Sequence, residues 1–288
     1  MKIQQKRTKP IEKAWYILKP FIVYTVIKTA ALLLLAMMIP SLPVNGMAQW
    51  SEENSNLLSA VINGVASLIG VAFILRDFLN EVNVTGEIDI DKNVLGQLWC
   101  WVKTAPCKVK GKAMQLAAVV SLGITSALAL NAFIELIALH SQKYDSVEKI
   151  QYSVPVWLGI VLYGVVSPFV EEVVFRGVTY NRMKRFFGLP LCVITTAVLF
   201  GGFHANLPQF IYGTCMGILM ALCYEWVGCF GAPWIFHVSA NVFVFLFSMV
   251  QGGINRASGI AYCIVFSIIS VLLVVYLLAS SKHSNKQD

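Results

Sequence analysis

The sequence predicts an all-α, polytopic membrane protein with about eight transmembrane helices in one bundle and both termini cytoplasmic. Three observations lead there. Of the 288 residues, 57% are hydrophobic and only 13% are charged, about half the charge of an average soluble domain. Apolar stretches approaching the roughly 20 residues of a spanning helix recur along the chain. Lys and Arg gather in alternate gaps between them, as cytoplasmic flanks require. The same numbers exclude a disordered chain, a fibrous one and an ordinary cytosolic enzyme.

The eight spans are expected at 21–39, 57–79, 114–139, 158–182, 190–204, 208–227, 233–250 and 259–279. The first follows Lys2, Lys6, Arg7, Lys9, Lys13 and Lys19 and looks like a signal peptide, with Gly46-Met47-Ala48 in the place of a cleavage site. Its apolar run outlasts the roughly 7–15 residues of a signal core, so it is expected to stay as a span. Between the second and third spans, segment 80–112 mixes Glu81, Glu87, Asp89 and Asp91 with Trp99, Trp101, Lys103, Lys108, Lys110 and Lys112. That composition suits a stretch lying at the headgroups, and equally a solvated loop. No internal repeat is visible. The chain divides into an N-terminal half (1–150) with three spans and this segment, a core (151–250) rich in intramembrane polar residues, and a last span with its tail (251–288).

The net charge is +7 with a pI near 9.0. With the N-terminus inside, the inner segments hold 18 Lys and Arg and the outer ones only Lys143, Lys149 and Arg256. The basic excess therefore reads as membrane topology, and the expected partners are membrane lipids rather than nucleic acid. The seven cysteines are odd in number and form no CxxC pair, so neither a disulfide framework nor a thiolate zinc site is expected.

An ionisable side chain at bilayer depth costs roughly 3 kcal/mol or more, so each one needs a reason. The fourth span carries Glu171, Glu172 and Arg176. Glu172 and Arg176 stand at i, i+4 with the acid first, the favourable order for a pair on one helix face. Glu171 lies about 100° around the helix and has no basic partner in this spacing. Of four histidines, His204 and His237 fall in apolar surroundings, while His140 and His283 lie at a boundary and in the tail. If Gly188-Leu189-Pro190 turns a hairpin, Glu171 and His204 lie about 24–26 Å from it and meet at one depth. Phe200 and His204 share a face, as do His237 and Asn241. His237 comes four residues after Pro233, shallow for a straight span. Either the Gly228–Pro233 turn dips into the protein, or the site lies nearer the cytoplasm; non-helical backbone at depth must be buried or line a wet cavity.

At these residues the chain resembles the CPBP family, the CAAX-processing and bacteriocin-immunity group of intramembrane proteases that includes the eukaryotic Ras-converting endopeptidase. The family pattern is EExxxR, FxxxH and HxxxN. It is matched by Glu171-Glu172-Val-Val-Phe175-Arg176, Phe200-Gly-Gly-Phe203-His204 and His237-Val-Ser-Ala-Asn241. The resemblance covers about residues 155–245.

It implies an endopeptidase in which Glu171 and His204 activate the hydrolytic water, His237 and Asn241 stabilise the oxyanion, and Glu172 and Arg176 hold the fourth span in place, with Phe200 supporting. The substrate would be a membrane-associated peptide or protein, lipidated or not, in CAAX-type processing or in bacteriocin processing and self-immunity. Glu171, His204 and His237 would also suit zinc with water as fourth ligand; no HExxH occurs, and a metal-bound glutamate is not a free base, so no cofactor is favoured and zinc stays open. Other readings of the same polar residues are a proton-coupled transporter, for which no inverted repeat is visible, and a non-catalytic immunity protein. A multi-pass protein of the cell membrane is expected in every case.

Overall fold

A bilayer offers the backbone no hydrogen-bond partners, so each crossing segment must satisfy its own N–H and C=O groups. This chain does so with helices. The structure, a computed structural model, describes residues 9–82, 96–97, 112–139, 141–251 and 256–284, with no strand among them. Helix α1 is Pro10–Met38, α2 Met47–Glu53, α3 Ser55–Val82, α4 Ala113–Leu136 and α5 Gln142–Ser153. The long α6 runs Val156–Lys184. It is followed by α7 Leu189–Phe203, α8 Leu207–Val227, α9 Gly231–Gln251 and α10 Arg256–Ser284. All eight expected spans are found as helices. Seven are long and apolar enough to cross a membrane; α7, with 15 residues, is about 22 Å long and falls short of the roughly 30 Å hydrocarbon core.

The departures have physical causes. The first helix starts at Pro10, well before the expected 21. Proline is suited to a first helical position, and Lys13 and Lys19 fit the helix because long basic side chains can carry their charge outward while their stems stay apolar. Helix α5 was not expected, since it is polar; Ser141 starts it by accepting from the Tyr144 N–H at 3.2 Å. Cys229 is disulfide-bonded, against the expectation of no disulfide, whereas Cys192, Cys215, Cys223 and Cys263 are free thiols. Residues 83–95 and 98–111 of segment 80–112, and His140, lie outside the described residues.

Helix α6 occupies the middle. From Val173 to Tyr180 every residue is buried, as only a helix surrounded by others can be. Helix α1 packs on α3, α7 on α8, and α4 on both α9 and α10. Outward-facing side chains such as Leu33, Phe73, Ile264 and Leu272 are more than half exposed, an apolar surface of the kind a bilayer covers.

Two stretches of α6, Ile160–Val166 and Val173–Tyr180, widen into π-helical turns. Pro168 explains the first: it has no N–H for the Gly164 carbonyl and its ring crowds that group, so the preceding turn opens. In the second, the Thr179 hydroxyl donates to the Val174 carbonyl, five residues back, at 2.8 Å. Glu171 and Glu172 lie in the α-helical turn between them.

Candidate active site

The three motifs meet around one aromatic ring. Phe200 takes the Arg176 guanidinium on its face at 4.7 Å. The His204 and His237 rings stand edge-on to it at 5.2 and 5.6 Å, and Phe175 at 5.2 Å. Phe200 thus spaces the two imidazoles of the site while remaining 3% exposed itself.

Glu172 and Arg176 are fully buried and paired at 2.8 Å. Arg176 also donates to the Gly217 carbonyl of α8 at 2.9 Å, so it ties α6 to α8. Glu172 has a second partner: its Oε1 lies 2.9 Å from His237 Nδ1. A carboxylate only accepts, so Nδ1 carries the proton and Nε2 is the free ring atom. That atom lies 3.7 Å from Glu171 Oε2. Glu172 is therefore an orienter of His237 as well as an anchor, a contact beyond the one its i, i+4 spacing suggests.

Glu171 is held by a residue the motifs do not contain. Ser167, one turn earlier, donates to Glu171 Oε1 at 2.6 Å, leaving Oε2 toward His237. The signal in the sequence is the i, i+4 spacing of Ser167 and Glu171. Lys28 and Tyr24 of α1 are within electrostatic reach of Glu171, so the first span contributes to the site although none of the motifs lies on it.

His204 ends α7 rather than lying within it. Its Nδ1 donates to the Phe200 carbonyl at 3.0 Å, which again leaves Nε2 free. The chain then turns sharply through Ala205 at φ 55, and Asn206 caps α8 by accepting from the Gln209 N–H at 2.9 Å. A non-glycine residue in the left-handed region stores about 1–2 kcal/mol. On α9, Asn241 donates through Nδ2 to the Tyr163 carbonyl at 3.0 Å. The turn before His237 is packed inside the protein: Cys229 and Phe230 are 6% and 2% exposed, Ala232 is fully buried, and the Phe230 ring rests on Phe78 at 4.9 Å.

Zinc would need a third protein ligand beside Glu171 and His237. Among the described residues no three His, Cys, Asp or Glu side chains gather in a metal-binding group, and no hydrogen bond or ion pair joins His204 to the other two. As placed, these donors do not form a three-ligand zinc site.

Residues 153–243, the stretch that builds this cluster, match the family model described as Type II CAAX prenyl endopeptidase Rce1-like. The chain is a membrane peptidase, and this stretch of it is similar to the CPBP family. The "Putative membrane peptidase YdiL" of Bacillus subtilis (strain 168) is 25% identical to this peptidase over 240 residues, 82% of this chain and 88% of that one. No solved structure matches. The peptidase is a multi-pass membrane protein, and the transporter and non-catalytic readings give way to a hydrolase.

Proposed function

We propose that this peptidase of the cell membrane cleaves membrane-associated peptides or protein segments, lipidated or not, with Glu171 as the base that activates water. The observation that carries the reading is the 3.7 Å approach of Glu171 Oε2 to the free Nε2 of His237. Both groups are fixed from behind, by Ser167 and by Glu172. The separation is too long for a direct hydrogen bond and suits two acceptors that share one water.

In this mechanism the water oxygen bonds to the carbonyl carbon as Glu171 takes its proton, and the carbonyl π pair moves onto oxygen. When the C=O re-forms, the C–N bond breaks, and the proton passes from Glu171 through His204 Nε2 to the departing amine. Asn241 donates its second amide N–H to the oxyanion, its first being held by Tyr163. This exchanges the histidine roles that the family resemblance implies. His237, with its proton on Nδ1, shares the water, and His204 handles the leaving group. A side chain desolvated in such a site is worth more as base or donor than the same group in water.

Purified Glu171→Gln is the test. The amide is nearly isosteric and accepts no proton at useful pH, so turnover is expected to vanish while expression and thermal midpoint stay at wild-type values. Wild-type turnover is expected to survive exhaustive chelation. Retained Glu171→Gln activity removes the base assignment; activity lost to chelation and restored by stoichiometric zinc reassigns Glu171 and His237 as ligands.

A further inference from the structure

We propose that Lys28, on the first span, is a further catalytic residue whose ammonium donates to the oxyanion; this rests on the reading of Glu171 as base. A lysine at bilayer depth is expensive and almost always faces the bundle interior or a functional group. Lys28 is 19 residues into α1, far from the Lys13 and Lys19 end.

Its depth follows from helix register. At one end of the bundle the Tyr16 carbonyl accepts from Arg182 Nη1 at 2.9 Å. Twelve residues along α1 from Tyr16 reach Lys28, and eleven back along α6 from Arg182 reach Glu171. At 1.5 Å per residue the first is about 18 Å; the second is somewhat shorter because the π-helical Val173–Tyr180 rises less per residue, so the two side chains leave their helices at neighbouring levels. Lys28 lies within the electrostatic reach of Glu171, without an ion pair, which agrees with that register.

The ammonium sits on aromatic faces, 5.5 Å from the Phe203 centroid and 6.0 Å from that of Tyr24. Phe203 in turn touches the His204 ring at 6.3 Å. Aromatic faces hold a cation without using its N–H groups as a carboxylate would. Among the described residues no carboxylate lies within ion-pair distance of Lys28 and no hydrogen bond occupies it. Arg176, the other cation beside the glutamates, is fully buried, with Nη1 on Glu172, Nη2 on Gly217 and its plane on Phe200; only its Nε lacks a partner among the described residues. The remaining donors are few: His237 Nδ1–H is on Glu172, and one N–H of Asn241 is on Tyr163. A single amide N–H would otherwise face a full negative charge at low dielectric, where a positioned cation has its largest effect. Lys28 keeps its proton throughout, donating a hydrogen bond as the carbonyl pair moves to oxygen and releasing it when the C=O re-forms.

The test uses the full-length protein in nanodiscs and a quenched fluorogenic apolar peptide that the wild type cleaves, over about pH 6 to 9. Lys28→Met and Lys28→Gln are expected to lose 10²–10³-fold in kcat at every pH, a typical loss for one oxyanion donor. KM should stay within about threefold, and Lys28→Arg should recover at least about tenfold. Thermal midpoints should not fall, since an intramembrane charge is removed. A kcat within about threefold of wild type for Lys28→Met or Lys28→Gln overturns the proposal. So does a loss confined to low pH and recovered at high pH, which would make Lys28 a positioning residue acting through Glu171, or a change in KM alone. Glu171→Gln run alongside separates the two claims: if it retains activity the base assignment fails too, and if it is inactive while Lys28→Met is normal, only the Lys28 assignment fails.

Discussion

Glu172 illustrates how much a single carboxylate can hold. Its Oε1 receives both Arg176 and His237, so the two halves of the EExxxR pair are not equivalent. Arg176→Ala removes a packing and ionic anchor and leaves a buried carboxylate, at about 3–5 kcal/mol. Glu172→Gln keeps the size and an acceptor oxygen for His237 but no charge. We expect Arg176→Ala to lower thermal stability most, and Glu172→Gln to lower kcat more than stability, read by thermal midpoint and turnover on the same preparations. Equal loss of both quantities in both variants would return Glu172 to a purely structural role. At this scale the sequence carried the residue types and their spacing, because i, i+4 pairs follow from helix geometry alone. The contact of Glu172 with His237, 65 residues away, was not legible: it depends on how far the start of α9 sinks into the bundle.

Among the elements, the α7–α8 hairpin is the one whose precision the site most depends on, since it carries Phe200 and His204. Its closeness comes from glycines. A Cβ on Gly201 would lie 2.5 Å from the Phe210 carbonyl oxygen and 2.4 Å from Thr214 Oγ1; one on Gly213 would lie 3.1 Å from the Gly201 Cα. Gly213 and Gly217 form a small-xxx-small stripe, and such stripes let helix backbones approach in a membrane. Gly201→Ala is therefore expected to push α8 away, costing about 1–3 kcal/mol as overpacking and displacing the two rings beside it. Gly202→Ala, which would meet nothing within 4 Å, is the control. Thermal midpoints of the two variants check this; equal values would mean the hairpin tolerates separation. The apolar spans were legible because long uninterrupted runs have few alternatives. The polar α5 and the π-helical turns of α6 were not, since neither leaves a hydropathy signal.

The whole molecule is clasped at one end by charges. Arg182 bonds Asp77 and Glu81, and Arg185 reaches Glu81 at 2.5 Å. Lys184 meets Glu225 at 2.5 Å, and Lys112 donates to the Val227 carbonyl at 2.6 Å. With the Arg182 bond to the Tyr16 carbonyl, these contacts join the start of α1 and α4 to the ends of α3, α6 and α8, the pairing an alternating up-and-down bundle requires. By the excess of Lys and Arg, we expect this end and both termini to be cytoplasmic. In intact cells, a membrane-impermeant thiol reagent should label Lys143→Cys and leave Lys282→Cys unlabelled until the cells are lysed. The opposite pattern would invert the bundle and bring substrates from the other face. Charge asymmetry alone supports that orientation, whereas the clasp itself needed the folded ends to become visible.

The central claim is that Glu171 drives hydrolysis of a membrane-associated peptide, and the most direct measurement is mapping of peptide termini in membranes from cells carrying wild type or Glu171→Gln at matched abundance. At least one membrane peptide or protein should appear cut in the wild-type sample and intact in the variant, with the new termini of a hydrolysed peptide bond. Identical sets of termini in the two samples, or the same cut made by Glu171→Gln, would contradict the account.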